Sequence, residues 1–199
     1  MKRKNKLSET EFEVLKSFFP KGQEITLKEI RSRSKLSYEP VYRTLKHLEE
    51  KHLVNIKKIG RTLVYSLEFK RDLVKMAFIL YANERKIIFS EKHLVLSKKL
   101  SEIQEETVDF LSVFGSYAKG NETKNSDIDI ICVDSNKNKI ENKLKALRYE
   151  TNFEFAPVVI PKKEFLKIEK ENIHFWEDLV NYGIIFKGYE LFYYLAYLK

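Results

Sequence analysis

Cysteine, proline, glycine and long apolar runs are all scarce in this sequence of 199 residues. The single cysteine, Cys132, excludes a disulfide within the chain. No apolar run approaches the roughly 18 residues that a membrane-spanning helix needs. The N-terminus, Met1-Lys2-Arg3-Lys4, leads into polar sequence without the apolar core of a secretion signal. We therefore expect a cytoplasmic protein in a reducing compartment, with no membrane partner.

The sequence does have enough apolar material for a core, and its charge is unevenly distributed. Hydrophobic residues make up 43% and aromatic residues 13% of the chain, which is sufficient for one or two globular domains. The formal net charge is +8, and residues 1–70 hold 17 Lys and Arg against 9 Asp and Glu, whereas residues 71–199 hold 20 of each sign. This asymmetry predicts two modules, the first facing a polyanion, although a solvated lysine-rich surface is the alternative.

The first module is predicted to contain three helices and a hairpin. Apolar residues at helical spacing predict helices over residues 8–19, 26–34 and 38–52. Thr26 is the expected N-cap of the second helix, with Glu29 as its capping-box partner. Alternating runs at residues 54–58 and 63–67 predict a hairpin around Gly60-Arg61. Three helices followed by a basic hairpin resemble a winged helix-turn-helix domain.

Such a domain implies double-stranded DNA as a partner. Its third helix lies in the major groove, and its hairpin, the wing, reaches the backbone or the minor groove. Cations near phosphates give salt-dependent affinity, whereas Arg43 and Tyr42 could read base edges. The alternative is a protein-binding module in which Tyr38 or Tyr42 packs at an interface. The side chains predicted to contact DNA are Tyr38, Tyr42, Arg43, Lys46, His47, Lys58 and Arg61.

Helices are also predicted between the two modules, over residues 69–82 and 90–106, with the mixed stretch Asn83–Phe89 between them. No linker rich in glycine, proline or serine is present. We therefore expect a winged helix-turn-helix domain at residues 1–68, a helical connection at 69–89 and a second domain at 90–199. A homodimer is expected because helix-turn-helix proteins commonly bind DNA as dimers.

The second module carries a pattern that suits phosphate and metal chemistry. A short apolar strand, residues 108–114, runs into Gly115-Ser116, where a glycine allows backbone amides to approach a phosphate closely. Asp127 and Asp129 begin a second apolar strand, and alternation directs both carboxylates to one face, about 7 Å apart. Two such carboxylates are suitable ligands for Mg²⁺ ions, which neutralise a triphosphate during nucleotidyl transfer.

The segment from Gly115 to Asp129 resembles the minimal nucleotidyltransferases of the DNA polymerase beta superfamily. Their pattern is G-S-[YF]-A-[KR]-G, five residues, and S-D-[IV]-D, and every position matches GSYAKG and SDID in this chain. The resemblance implies an α/β (α+β) domain with a mixed sheet flanked by helices, and two Mg²⁺ ions with ATP or another NTP as substrate. It also implies metal binding by Asp127 and Asp129, and nucleotide binding by Gly115, Ser116, Lys119 and Ser126.

Members of that superfamily use a third carboxylate, usually an aspartate on a later strand, as general base and metal ligand. The candidate strand covers residues 151–160, and its only acid is Glu154, with Glu150 just upstream. The extra methylene of a glutamate shifts the carboxylate by about 1.5 Å. Two interpretations of Glu154 therefore remain open. It is either a catalytic, metal-binding carboxylate or a surface glutamate on an edge strand. Pro157 is compatible with an edge strand, because proline cannot donate a hydrogen bond to a neighbouring strand.

Three uses of this combination compete. The first is transfer of AMP from ATP to a hydroxyl of a partner protein, such as a cognate toxin, by an antitoxin that also binds its operator. The second is a DNA-binding transcriptional regulator whose transferase-like domain binds nucleotide without turnover. The third, a transferase that modifies a small molecule such as an antibiotic, has less use for a basic first module.

Overall fold

The computed structural model describes residues 6–104, 108–134, 136–151 and 153–199. The charged N-terminus, the end of the helix predicted over residues 90–106 and Asn152 of the predicted strand lie outside the described residues. Two compact units are present: one reaches to Tyr81 and includes Tyr197–Lys199, and the other is Ala82–Ala196. Within the described residues, no helix is long and apolar enough to cross a bilayer.

The first unit is a winged helix-turn-helix fold, as the sequence predicts. Its sheet is antiparallel with strand order β1-β3-β2, and the β2–β3 hairpin is the wing. Side chains buried between the helices and the sheet include Leu15, Ile30, Leu45 and Tyr65. The elements are α1 (Glu9–Lys16), β1 (Ile25–Thr26), α2 (Leu27–Ser34), α3 (Tyr38–Glu50), β2 (Val54–Ile59) and β3 (Thr62–Leu67).

Capping residues define where the first two helices begin. The Ser8 hydroxyl accepts a hydrogen bond from the Glu11 amide, and the Glu11 carboxylate accepts one from the Ser8 amide. The predicted box at Thr26 and Glu29 is confirmed, with both reciprocal bonds present. Each box satisfies two amides that would otherwise have no partner at a helix start, so local sequence alone fixes these boundaries.

The connection differs from the predicted pair of interrupted helices. The predicted interruption at Asn83–Phe89 is wrong, because one helix, α4 (Asp72–Lys92), continues through it. That stretch has no glycine or proline to end a helix, and Ala82 and Phe89, two turns apart, are both buried. A separate helix, α5 (Leu94–Gln104), follows.

The second unit contains a mixed four-stranded sheet of order β6-β5-β4-β7, in agreement with the predicted fold class. Strand β5 pairs in parallel with β6 and antiparallel with β4, and β7 is antiparallel to β4. Its strands are β4 (Phe110–Val113), β5 (Ile128–Val133), β6 (Phe155–Ile160) and β7 (Ile184–Lys187). The α-helices that follow α5 in the described residues are α6 (Gly115–Lys119), α7 (Lys137–Thr151), α8 (Lys162–Phe165), α9 (Ile168–Glu171), α10 (Ile173–Tyr182) and α11 (Tyr189–Tyr193). A π-helix (Tyr194–Leu198) follows α11.

The two faces of this sheet are covered by different helices. On one face Ile128, Ile130 and Cys132 of β5 share a core cluster with apolar residues of α5 and α7. On the other face Phe110 stacks on Phe165 at 4.8 Å and on Phe192 at 5.8 Å between ring centroids. The only tryptophan of the chain, Trp176 of α10, contacts the same aromatic group and is 6% exposed. Helix α10 therefore packs on the face opposite α5 and α7.

Candidate active site

The predicted metal-binding aspartates lie at the start of β5, an inner strand of the sheet. Asp127 immediately precedes the strand and is exposed, whereas Asp129 lies within it and is half-buried. Ile128 and Ile130 point into the α5–α7 core. Because side chains alternate along a strand, Asp127 and Asp129 lie on the other face, the one that α10 covers.

Gly115 makes room for the Asp129 carboxylate. A Cβ atom on Gly115 would lie 1.9 Å from Asp129 Oδ2, closer than any real contact, and the glycine has φ +66°. The preceding amide, of Phe114, donates a 2.9 Å hydrogen bond to the Asp129 carbonyl oxygen. Glycine at this position thus allows both the left-handed backbone and the approach of the carboxylate to the start of α6.

The pKa of Asp129 is raised above its ordinary value. Burial is the largest cause, and the negative charges of Asp127 and Asp178 add to it, while the Lys119 ammonium opposes the shift. Carboxylates forced together in a partly buried place favour protonation unless a cation neutralises them. The arrangement therefore favours binding of an additional positive charge beside Asp127 and Asp129.

Lys119, the lysine of the GSYAKG segment, contacts two side chains of α10. Its Nζ lies 2.6 Å from Asp178 Oδ1, and the side chains are 34% and 25% exposed. The same Nζ lies 5.2 Å from the centre of the Tyr182 ring. The lysine is thus held at the edge of the carboxylate pair by a helix that lies far along the sequence.

Asp178 belongs to the candidate site, although the sequence does not predict it. It lies in α10 between the buried Trp176 and Leu179, and the Asn172 side chain caps the helix by accepting a 3.1 Å hydrogen bond from the Phe175 amide. An acidic residue beside two buried ones on an amphipathic helix is a weak signal in a sequence. Only the packing of α10 on the sheet shows that Asp178 faces Lys119 and Asp129.

Glu154, the candidate third carboxylate, is paired with a different residue. Its Oε1 lies 2.6 Å from Arg148 Nη2 of α7, and the Glu154 side chain is 53% exposed. The Glu154 carbonyl oxygen accepts a 2.8 Å hydrogen bond from the Ile128 amide. In the parallel register, Ala156 lies opposite Asp129. The backbone of Glu154 therefore adjoins the start of β5, while its carboxylate forms an ion pair with α7.

The two predicted nucleotide-binding serines lie in different local structures. Ser126 Oγ accepts a 2.9 Å hydrogen bond from the Thr123 amide and lies 3.1 Å from Thr123 Oγ1, closing the turn before Asp127. Ser116 lies in the first turn of α6, and its carbonyl oxygen accepts a 3.1 Å hydrogen bond from the Asn121 amide. Its side chain is half-buried.

Asp127 and Asp129 are suitable oxygen ligands for Mg²⁺, but they supply only part of its coordination shell. Mg²⁺ prefers oxygen ligands and retains waters, so it is commonly bound by one or two carboxylates together with substrate phosphates. Asp127 and Asp129 supply that number. Among the residues that the structure describes, no group of three or more histidine, cysteine, aspartate or glutamate side chains could hold a metal ion. Any remaining ligands would come from the triphosphate and water.

An open cavity of about 310 Å³ lies between residues of α6 and the C-terminal part of α4. Glu122 Oε1 lies 2.5 Å from Lys92 Nζ and 3.5 Å from His93 Nε2, and the His93 ring lies 5.3 Å from that of Tyr117. Burial lowers the pKa of His93, and the Lys92 charge acts in the same direction, while Glu122 opposes the shift. Residues lining the cavity include Arg85, Phe89, Lys92, His93, Tyr117, Lys119 and Ile184.

Most side chains predicted to contact DNA are displayed on the surface of the first unit. The Tyr38 and Tyr42 rings stack at 5.8 Å, and Lys46 Nζ lies 4.7 Å from the centre of the Tyr42 ring. Arg43 is exposed and pairs with Glu39 at 2.6 Å. Lys58 and Arg61 are exposed on the wing. This face presents a row of aromatic and cationic groups from α3.

His47 and Arg31 modify that predicted DNA-binding face. His47 Nε2 lies 3.6 Å from Glu11, and its Nδ1 lies 3.6 Å from Glu50, so both ring nitrogens lie near carboxylates. Arg31 of α2, which is not among the predicted DNA contacts, lies over the Tyr38 ring at 5.9 Å. The face thus gains a cation from α2, while His47 lies beside two acidic groups.

Comparison with known proteins separates the same two parts of the chain. Residues 95–187 match the nucleotidyltransferase domain family, and residues 1–69 match the family described as the sugar-specific transcriptional regulator TrmB. No curated protein matches the chain. A variant of ZitR from Lactococcus lactis is 24% identical with a TM-score of 0.39, over 53% of this chain and 78% of that one. BpsR of Bordetella bronchiseptica, whose DNA binding is regulated by 6-hydroxynicotinic acid, is 16% identical with a TM-score of 0.37, over 51% and 83%.

Proposed function

Because this chain joins a winged helix-turn-helix domain of the TrmB type to a nucleotidyltransferase domain, we propose that it transfers AMP from ATP to a hydroxyl acceptor and binds double-stranded DNA. The acceptor proposed is a hydroxyl of a partner protein, such as a toxin for which this chain is the antitoxin. A homodimer, which would present two winged helices to DNA, is part of the same proposal.

The observation that carries the transferase proposal is the Asp129 carboxylate, which lies against Gly115 and beside Asp127. We propose these aspartates as ligands of two Mg²⁺ ions, which would neutralise the triphosphate and polarise the attacked phosphorus. The chain itself would orient the nucleotide through the Gly115 backbone and the Ser116 hydroxyl. Lys119 would contribute positive charge near the phosphates, and Ser126 would hold the turn that leads to Asp127.

For Glu154 we propose two roles that a single variant separates. As third carboxylate it would leave Arg148, bind metal and accept the proton of the attacking hydroxyl. As a surface residue it would remain paired with Arg148. Glu154→Gln should abolish pyrophosphate release in the first case and leave it unchanged in the second, with Glu150→Gln as control.

The experiment that tests the transferase is calorimetric binding of ATP with and without Mg²⁺, with pyrophosphate release followed in the same samples. Metal-dependent binding that is lost in Asp127→Ala/Asp129→Ala, together with pyrophosphate release by the wild type, supports the proposal. Co-expressed proteins labelled by radioactive ATP would identify a protein acceptor. Absence of nucleotide binding in the wild type would contradict the proposal.

A second candidate function is a DNA-binding regulator whose second domain binds nucleotide without turnover. The observation that favours it is the pairing of Glu154 with Arg148 while Ala156 lies opposite Asp129. A transferase lacking a third carboxylate would still bind nucleotide and metal. Nucleotide binding without pyrophosphate release, even with the acceptor present, would distinguish this function from catalysis.

The DNA-binding part is tested by a gel-shift titration against salt with the full chain. Affinity that falls steeply with salt indicates phosphate contacts, with a slope of about 0.9 per phosphate neutralised. Lys58→Gln on the wing should reduce that slope by about 1, whereas Arg43→Gln should also relax sequence preference if it contacts a base edge. Lys145→Gln, on an exposed position of α7 in the other unit, is the matched control. Salt-independent affinity would contradict the proposal.

A further inference from the structure

The ion pair between Lys119 and Asp178 links the GSYAKG segment to α10. Lys119 Nζ and Asp178 Oδ1 are 2.6 Å apart, and both Lys119 and Asp178 act electrostatically on the half-buried Asp129. The ammonium therefore contacts the Asp178 carboxylate, acts on the charge of Asp129, and lies 5.2 Å from the centre of the Tyr182 ring. The Lys119 ammonium is therefore already paired with a carboxylate before any nucleotide binds.

Asp178 is fixed in this position by the packing of its helix. Trp176 and Leu179, on either side of it, are 6% and 1% exposed, so α10 cannot rotate without exposing them. Phe114, just before α6, also meets Phe175 of α10 edge to face, at 4.9 Å between ring centroids. Lys119 is by contrast a long side chain with a third of its surface exposed. Of the two partners, the lysine is the one free to move.

A nucleoside triphosphate would compete with Asp178 for the Lys119 ammonium. A triphosphate carries more negative charge than one carboxylate, and charged hydrogen bonds to phosphate are strong. Resting on the proposed nucleotide binding, we propose that Asp178 is a positioning residue: it holds Lys119 in the nucleotide-free protein and yields it to the triphosphate. Asp178 would thereby oppose nucleotide binding, both by retaining Lys119 and by its own negative charge.

The proposal predicts that removing the Asp178 charge strengthens nucleotide binding. Exposed or partly exposed ion pairs contribute about 0.2–1 kcal/mol, which corresponds to a gain of about 1.4- to fivefold in affinity. The probe is α,β-methylene ATP with Mg²⁺, measured by calorimetry so that turnover does not contribute. Asp178→Asn should bind it about 1.4- to fivefold more tightly than the wild type.

Four further variants separate an effect through Lys119 from other effects. Glu177→Gln removes the same charge from the neighbouring exposed position of α10 and should leave the affinity unchanged. Lys119→Met should weaken binding, and Asp178→Asn added to Lys119→Met should give a smaller gain than in the wild type. Asp178→Glu keeps the charge and should bind like the wild type. If Asp178→Asn does not fold, Asp178→Ser tests the same loss of charge.

The outcomes also distinguish this inference from the proposed function. Wild-type binding with no gain in Asp178→Asn, or an equal gain with and without Lys119, overturns the inference alone. No binding of the analogue by any variant overturns the proposed nucleotide binding and the inference with it. A gain that depends on Lys119, together with a lower KM for ATP and a nearly unchanged kcat, supports Asp178 as a positioning residue.

Discussion

Gly115→Ala is expected to disable the candidate active site while the fold survives. The new Cβ would lie 1.9 Å from Asp129 Oδ2 and 2.8 Å from Asp129 Cγ. A normal contact is about 3.5 Å, so the carboxylate must move by about 1.5 Å. A side-chain carboxylate can rotate away, so the added stability cost is mainly that of φ +66°, about 1–2 kcal/mol for an alanine. Misplacement of about 1 Å commonly costs 100-fold in rate.

Gly120→Ala is the matched control for that prediction. Gly120 has φ +74°, but no atom lies within 4 Å of the Cβ that an alanine would add. Both variants should therefore lose a similar free energy of unfolding, measured by urea denaturation. Only Gly115→Ala should lose Mg²⁺-dependent ATP binding by calorimetry. Equal nucleotide binding in the two variants, or a loss confined to Gly120→Ala, would refute the reasoning.

Three further predictions concern stability and reactivity. Burial alone would raise the pKa of Glu11, but hydrogen bonds from Lys51 and the Ser8 amide, with the Lys51 charge, outweigh it and lower the pKa. The ionised Glu11 carboxylate therefore stabilises the fold above the ordinary glutamate pKa of 4.5, and this stabilisation is lost as pH falls through the lowered pKa. Urea denaturation should show that Glu11→Gln is less stable than the wild type at neutral pH, and the difference should shrink in acid. Burial, with the Asp134 charge, raises the pKa of Cys132 to about 12, so a thiol reagent should modify it only after unfolding; fast labelling of the native protein would be contrary evidence. Phe186→Ala, which empties a fully buried position in β7, should cost about 3–5 kcal/mol in denaturant, and a loss below about 1 kcal/mol would contradict the packing described.

Features that depend on neighbouring residues could be predicted from the sequence. The Thr26 capping box involves residues three positions apart, and alternation along β5 places Asp127 and Asp129 on one face without knowledge of any other strand. The same holds for the winged helix, since its hairpin is formed by consecutive strands. In each case, the residue types and their spacing along the chain were sufficient to predict the local structure.

Features that depend on distant packing could not be predicted. Asp178 is far from Lys119 in sequence, and the two meet only because α10 covers the aspartate-bearing face of the sheet. The partner of Glu154 depends on how α7 packs beside β6. The predicted break within α4 was wrong for another reason. The mixed stretch Asn83–Phe89 contains no glycine or proline, and its buried side keeps the helical period, so the helix continues through it.

Trp176 gives the second unit an intrinsic optical reporter. It is the only tryptophan in the chain, it is nearly fully buried, and it lies in the helix that carries Asp178. Excitation at the red edge of protein absorbance therefore selects emission from α10 alone. Unfolding followed by this emission monitors the second unit, while circular dichroism follows both units, so the two signals separate their stabilities without labelling or truncation. A spectral shift on adding nucleotide would likewise originate two residues from Asp178.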